Sequence, residues 1–213
     1  MKVNDVELKD DNDMVIRASE KGIFERETFK YFQDNVKEDS TFLDVGAYTG
    51  IYSIFANVTK CCKVYAFEPN KIVFERLIEN VTKNRCCPND IIVFNHGLSN
   101  ATRTTRLYVN PRTKLTSGGS LTQDIGKTKN INCQLHKFDE MTISILNIDI
   151  IKIDVEGHEL EVLQGMSKML KRDKPKIIIE LLSEKDILKS DKFLKELGYK
   201  FKMRCDDRNY IYE

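Results

Sequence analysis

From residue 41 onward, short apolar runs alternate with stretches of helical periodicity, and this alternation restricts the chain to few architectures. The apolar runs at 41–45, 63–67, 91–95, 150–155 and 176–181 read as strands. Apolar residues at helical spacing mark 24–36, 50–59, 70–84, 159–171 and 183–197 as helices. Strands that alternate with helices form an α/β fold, a mainly parallel sheet covered by helices on its faces. A doubly wound sheet of this kind binds its ligand at the carboxyl ends of the strands, where the strand order reverses. Residues at those ends therefore carry the most weight.

Two hairpins frame this unit. Runs at 3–8 and 13–18 flank Asp10 to Asp13, which predicts a hairpin at the N-terminus. Gly198 stops the last helix, and runs at 199–205 and 209–212 flank Asp206, Asp207 and Arg208, which predicts a closing hairpin. Residues 99–148 are the least regular, with strands expected at 104–109 and 130–137 around a loop carrying Pro111, Gly118 and Gly119. No repeat or composition break divides the 213 residues, so one domain is expected.

Charge narrows the partners. The 34 basic residues stand against 33 acidic ones, for a net charge of +1, whereas a nucleic-acid binder usually shows a basic excess. No run approaches the roughly 18–20 apolar residues of a membrane span, and the first residues, MKVNDVELKDDND, do not resemble a secretory leader. A cytoplasmic protein with reduced thiols is the expectation. The six cysteines include the pairs Cys61-Cys62 and Cys86-Cys87, which lack zinc spacing and precede two strands, at the sheet edge away from the ligand.

Three segments at strand ends carry chemistry. The first, Asp44-Val45-Gly46-Ala47-Tyr48-Thr49-Gly50, opens a helix. Its glycines permit a sharp turn and close approach of the backbone to a ligand. The spacing is neither G-x-G-x-x-G nor a P-loop, which disfavours a nicotinamide oxidoreductase. The second is Phe67-Glu68-Pro69, in which Glu68 follows Gly50 by eighteen residues, near the spacing at which an acid binds ribose hydroxyls. The third is Ile151-Lys152-Ile153-Asp154-Val155-Glu156-Gly157-His158-Glu159. Lys152 and Asp154 project to the same side of a strand, a structural ion pair or part of a site. His158 has the ordinary pKa of a neutral-pH base.

With these segments placed, the chain resembles the FkbM family of S-adenosylmethionine-dependent methyltransferases. FLDVGAYTGIYS (42–53), YAFEPN (65–70), FNHGLSN (94–100) and IIKIDVEGHELEVLQG (150–165) carry the resemblance, and KFDEM (137–141) and KPKIIIEL (174–181) agree with it. Tyr48 stands where the family usually has Asn, and His96-Gly97 replaces a more common Ala.

The resemblance implies a class I, Rossmann-like methyltransferase fold, with a seven-stranded sheet whose last strand is antiparallel. It implies that Asp44, Gly46, Ala47, Tyr48 and Gly50 hold the methionine part of S-adenosylmethionine, Glu68 the ribose, and Gly97 and Leu98 the adenine. Asp154, Glu156 and His158 would face the transferable methyl group, with Glu180 as a fourth member. His158 is the expected base for an acceptor hydroxyl; the alternative is a divalent cation held by the carboxylates.

The implied activity is O-methylation of a sugar, glycan or related small molecule, leaving S-adenosylhomocysteine. Residues 100–148 would form the acceptor-site rim, with Arg103, Arg106, Arg112 and Lys114 making it basic. A methyltransferase of RNA or protein, and a non-catalytic nucleoside-binding module, are the alternatives. Neither a membrane nor a nucleic acid is an expected partner.

Overall fold

The structure, a computed structural model, describes residues 2–3, 6–7, 25–84, 90–109, 129–142, 145 and 147–213. At the N-terminus, β1 (Lys2–Val3) and β2 (Val6–Glu7) pair antiparallel, Lys2 opposite Glu7 and Val3 opposite Val6. The run expected as one arm of a hairpin thus pairs within itself. Residues 13–18, 86–87, 112, 114 and 116–120 lie outside the described part.

Helix α1 (Arg26–Asn35) leads into a run of alternating strands and helices: β3 (Thr41–Val45), α2 (Ile51–Lys60), β4 (Lys63–Phe67), α3 (Lys71–Lys83) and β5 (Ile91–Phe94) come first. After an inserted sheet follow β9 (Ile148–Ile153), α4 (Glu159–Gly165), α5 (Ser167–Asp173), β10 (Lys176–Glu180) and α6 (Glu184–Glu196). The chain closes with β11 (Phe201–Cys205) and β12 (Asn209–Tyr212). The main sheet has seven strands in the order β5-β4-β3-β9-β10-β12-β11. The first five are mutually parallel, and β12 runs antiparallel to both β10 and β11. From β3 the chain winds outward through β4 to β5, then returns to β9 on the other side. The order therefore reverses between β3 and β9, and a crevice opens there at the strands' carboxyl ends.

Both sheet faces are buried, so the central strands read as continuous apolar runs. Phe42, Val64, Ala66, Ile150 and Ile178 pack beneath the aromatic cluster of Phe29, Phe32 and Phe55 from α1 and α2. Leu43, Tyr65, Phe67, Ile151 and Ile179 face Val162, Leu163, Leu170 and Leu194 on the opposite side. Asp206, in the turn before β12, caps α1, whose own first residue supplies no side-chain cap: its carboxylate accepts from the Thr28 N–H at 2.9 Å and the Thr28 hydroxyl at 2.7 Å.

The insertion is more regular than its sequence suggests. Strands β6 (Gly97–Leu98), β8 (Lys129–His136) and β7 (Arg103–Val109) form a second sheet, with β6 parallel and β7 antiparallel to the central β8. The helix expected over 159–171 is broken at Met166. Gly165 lies so close to the Ser99 carbonyl that an added Cβ would stand 2.0 Å from its oxygen, and α5 restarts with Asp139 accepting from the Lys168 and Met169 N–H groups at its first turn. Cys62 is buried just before β4, at the amino edge of the sheet, as expected. Among the described residues no helix is long and apolar enough to cross a membrane.

Candidate active site

The crevice begins with the turn from β3 into α2. Gly46 and Ala47 donate their N–H groups to the Phe67 carbonyl, each at 3.0 Å, which clamps the turn to the end of β4. Gly46 has φ of +84°, and a Cβ there would stand 1.8 Å from the Asp154 carbonyl oxygen, so only glycine lets β3 and β9 end side by side. Tyr48 is also left-handed at φ +51°, a conformation Asn tolerates better than Tyr. Asn80 on α3 supports the turn from beneath, donating to the Thr49 carbonyl at 2.8 Å.

Asp44 is buried and accepts the Ser53 hydroxyl at 2.6 Å. Burial pushes its carboxyl up to about 6, against the Ser53 hydrogen bond and the Lys152 charge, which both hold it down. Asp44 therefore braces the turn from below.

Glu68 follows β4 and is 7% exposed. Oε2 accepts from the Tyr48 N–H at 3.1 Å, and Oε1 from the Asn70 N–H at 2.8 Å. Burial nevertheless pushes its carboxyl up to about 8. A carboxylate has roughly four acceptor directions, so each oxygen keeps capacity for one more donor. A ribose diol supplies two such donors, and the residues present thus fit the nucleoside end of S-adenosylmethionine.

Across the crevice, Asp44 on β3 pairs in register with Lys152 on β9. The Lys152 ammonium is buried, 2.7 Å from Asp154 Oδ2 and 3.7 Å from Glu25 Oε2, and lies 4.8 Å from the centroid of the Tyr52 ring. Burial opposes its charge most, but Asp154, Glu25 and Asp44 together outweigh burial and raise its pKa. Glu25 also accepts the Tyr52 hydroxyl at 2.5 Å and the Asn209 amide at 3.3 Å. Burial raises the Glu180 carboxyl to about 8, with Asp154 adding both like charge and a shared hydrogen bond. Glu156 is left-handed at φ +55°, and burial and then Asp154 raise its carboxyl while Arg208 and Lys152 lower it. Asp154, Glu156, Glu180, Lys152 and Glu25 thus form one coupled cluster.

His158 departs from the expectation for it. It is 4% exposed, and its Nε2 lies 2.9 Å from the Ser99 hydroxyl. Its Nδ1 has no hydrogen bond, and the nearest charge to it is Glu161 at 3.6 Å. Burial lowers its pKa, so the ring is neutral near pH 7. Its hydrogen bond goes to the end of β6 and not to Asp154, Glu156 or Glu180.

Glu159, beside it, holds the loop. Its Oε1 accepts from the Gly157 and Val155 N–H groups, at 2.9 and 3.3 Å, and burial pushes its carboxyl up to about 7. Gly97 and Leu98 are buried in β6, where Gly97 packs against Leu135 and Pro69. The rings of Phe67, Phe94, His96 and His136 pack one against the next beside Glu68, with 4.7 Å between the two phenyl centroids and 4.2 Å between the two imidazoles.

Sequence reasoning named Glu68, Asp154 and Glu180, and all three line this edge. It gave no role to Glu159, which ends the third segment, and missed Glu25, Tyr52, Ser99 and Asn209. Ser99 and Glu159 sit within the segments that carry the family resemblance. Glu25 and Asn209 carry no sequence signal, because their meeting spans 184 residues. Among the described residues no group of three or more His, Cys, Asp or Glu is arranged to hold a metal ion.

The strand order, the glycine turn after β3 and the acid after β4 define a class I methyltransferase. Residues 44–201 match the family model of the methyltransferase FkbM domain, and the chain belongs to that family. S-adenosylmethionine is accordingly its cofactor. The chain is 31% identical over 178 residues to the hexuronic acid methyltransferase AglP of Haloferax volcanii, a match covering 75% of this chain and 68% of that protein. Among solved structures it resembles methyltransferase FkbM from Methylobacillus flagellatus, with a TM-score of 0.60 and 17% identity, over 96% of this chain and 55% of that one. It also resembles a SAM-dependent methyltransferase from Aquifex aeolicus, with a TM-score of 0.52 and 17% identity, over 88% of this chain and 87% of that one. The chain thus spans little more than half the length of the FkbM structure.

Proposed function

We propose that this chain transfers a methyl group to a hydroxyl of a sugar, with an acidic sugar as the acceptor class. The carrying observation is the relationship to a hexuronic acid methyltransferase across most of both chains. The half-buried carboxyl pair Asp154 and Glu180 supports it, because a sugar hydroxyl is a poor nucleophile until its proton has somewhere to go.

S-adenosylmethionine, when bound, supplies an electrophilic methyl carbon on a sulfonium. Glu68 accepts hydrogen bonds from the ribose hydroxyls. The turn from Gly46 to Gly50 gives a close backbone surface for the methionine end, braced by Asp44. Gly97 and Leu98 border the adenine side.

The acceptor hydroxyl donates to the Asp154–Glu180 pair, which takes its proton at a carboxylate oxygen as the oxygen attacks. A base tuned toward the working pH contributes about 10²–10⁴-fold. Lys152 holds Asp154 in place, and Glu156 borders the acceptor. His158 serves as a positioning residue: its bond to Ser99 fixes the 154–158 loop against β6. The described parts of the insertion, residues 100–109 and 129–142, form the acceptor rim from that side.

Calorimetry with S-adenosylhomocysteine, followed by turnover on uronic acid and hexose glycosides, tests this reading. Micromolar cofactor binding that weakens in Glu68→Ala, and a product carrying its new methyl on oxygen, are expected. Folded protein that binds the cofactor but methylates no sugar refutes the sugar assignment.

A further inference from the structure

Arg208 lies at the same crevice edge, where its charge reaches Glu156, but no role has been given to it above. It ends the turn between β11 and β12, and its carbonyl accepts the Leu181 N–H at 2.9 Å. The next residue, Asn209, is the register partner of Glu180. The backbone therefore holds Arg208 directly beyond the carboxyl end of β10, on the side of the crevice opposite β6.

Its charge is felt at Glu156, yet the guanidinium is exposed and forms no ion pair with any described residue. Lys152 differs, since Asp154 and Glu25 already engage it. Arg208 thus offers at this edge a planar fork of donors whose geometry matches a carboxylate bidentately.

We propose that Arg208 binds the carboxylate of a uronic-acid acceptor and so sets a preference for acidic over neutral sugars. This inference rests on the sugar-methylating reading above and adds the residue that chooses among sugars. The acidic surroundings do not oppose it. Burial keeps Glu68, Glu159 and Glu180 substantially protonated near pH 7, and Lys152 offsets Asp154. An incoming carboxylate therefore meets less negative charge than the residue count suggests. Nor does the position restrict the anchor to one sugar, because an exposed arginine stem adapts to acceptors of different size.

The test compares methyl glucuronide with methyl glucoside as acceptors, using the full chain and its Arg208→Gln and Arg208→Lys variants, with S-adenosylhomocysteine affinity as the control. The wild type is expected to prefer the glucuronide at least tenfold in kcat/KM. Arg208→Gln is expected to raise KM for the glucuronide at least tenfold while changing kcat/KM for the glucoside less than threefold, and Arg208→Lys to recover part of the loss. Equal losses on both glycosides, or a glucuronide preference that survives Arg208→Gln, overturn the anchor and leave sugar methylation standing. Protein that binds S-adenosylhomocysteine yet methylates neither glycoside overturns the sugar reading and the anchor together.

Discussion

Nε2 of His158 lies 2.9 Å from the Ser99 hydroxyl, and this single bond ties the acidic loop after β9 to the end of β6. Both residues are buried, and the Ser99 N–H in turn donates to the His136 carbonyl at 2.9 Å. Losing such a bond and exposing its partner costs about 1–3 kcal/mol. His158→Ala is therefore expected to lower the melting temperature and to reduce turnover by displacing the loop, with the acid limb of the pH–rate profile unmoved. Loss of that limb in the variant would return His158 to the role of base.

Glu68 is poised to release a proton. Its carboxyl stands at about 8 because it is buried, and two ribose hydroxyls would favour its charged form. Binding of S-adenosylhomocysteine at pH 7 is expected to release up to about one proton, read by calorimetry in buffers of different ionisation enthalpy. Glu68→Gln should abolish that release and weaken binding about tenfold or more, in line with losing a hydrogen bond to a charged group.

Glu180 sets the expected pH dependence of turnover. Its carboxyl is raised to about 8, chiefly by burial, and it must be ionised to take part in accepting a proton. Turnover should therefore rise with pH toward about 8. Glu180→Gln should flatten that rise and lower kcat by about 10²-fold or more, whereas a rise that persists would assign it to another group.

The cofactor-free protein should lose stability as pH increases. Glu68, Glu159 and Glu180 have folded-state values of about 8, 7 and 8, all above the ordinary glutamate value of 4.5. Between those values the folded state binds more protons than the unfolded state, so the unfolding free energy falls with pH. Their contribution is full below about 4.5 and is lost as pH rises through about 8. Denaturant midpoints measured from pH 5 to pH 8 should decline, and S-adenosylhomocysteine should flatten the decline.

Two glycines should resist substitution for different reasons. Gly165→Ala would drive a methyl group into the Ser99 carbonyl, an overpacking that costs about 1–3 kcal/mol. Gly46→Ala meets the Asp154 carbonyl at 1.8 Å and adds the strain of a positive φ, so it should unfold the protein more readily and disturb Asp154. Thermal melts of the two variants should rank in that order.

Much of the scaffold was legible in the residues because its signals are local. The five parallel strands and the closing hairpin follow from runs, turns and spacing. The break at Met166 was not legible, since apolar periodicity continues through it and the cause is a contact with Ser99, far away in the chain. In the second sheet, β7 and β8 match the strands expected at 104–109 and 130–137, but β6 was hidden, because it is only two residues long and pairs with a strand more than thirty residues later.

The residue types and their order alone determined the fold class, the glycine turn after β3, the acid after β4 and the acidic segment after β9. Each of these is written within a few consecutive residues, where backbone freedom and side-chain chemistry act directly. Only the tertiary structure decided that His158 turns to Ser99, that Lys152 is shared between Asp154 and Glu25, and that Arg208 stands beyond the carboxyl end of β10. Those outcomes depend on which groups burial brings within hydrogen-bonding distance. Desolvation and long-range pairing set the charge and role of such groups, and neither can be read from neighbours in the chain.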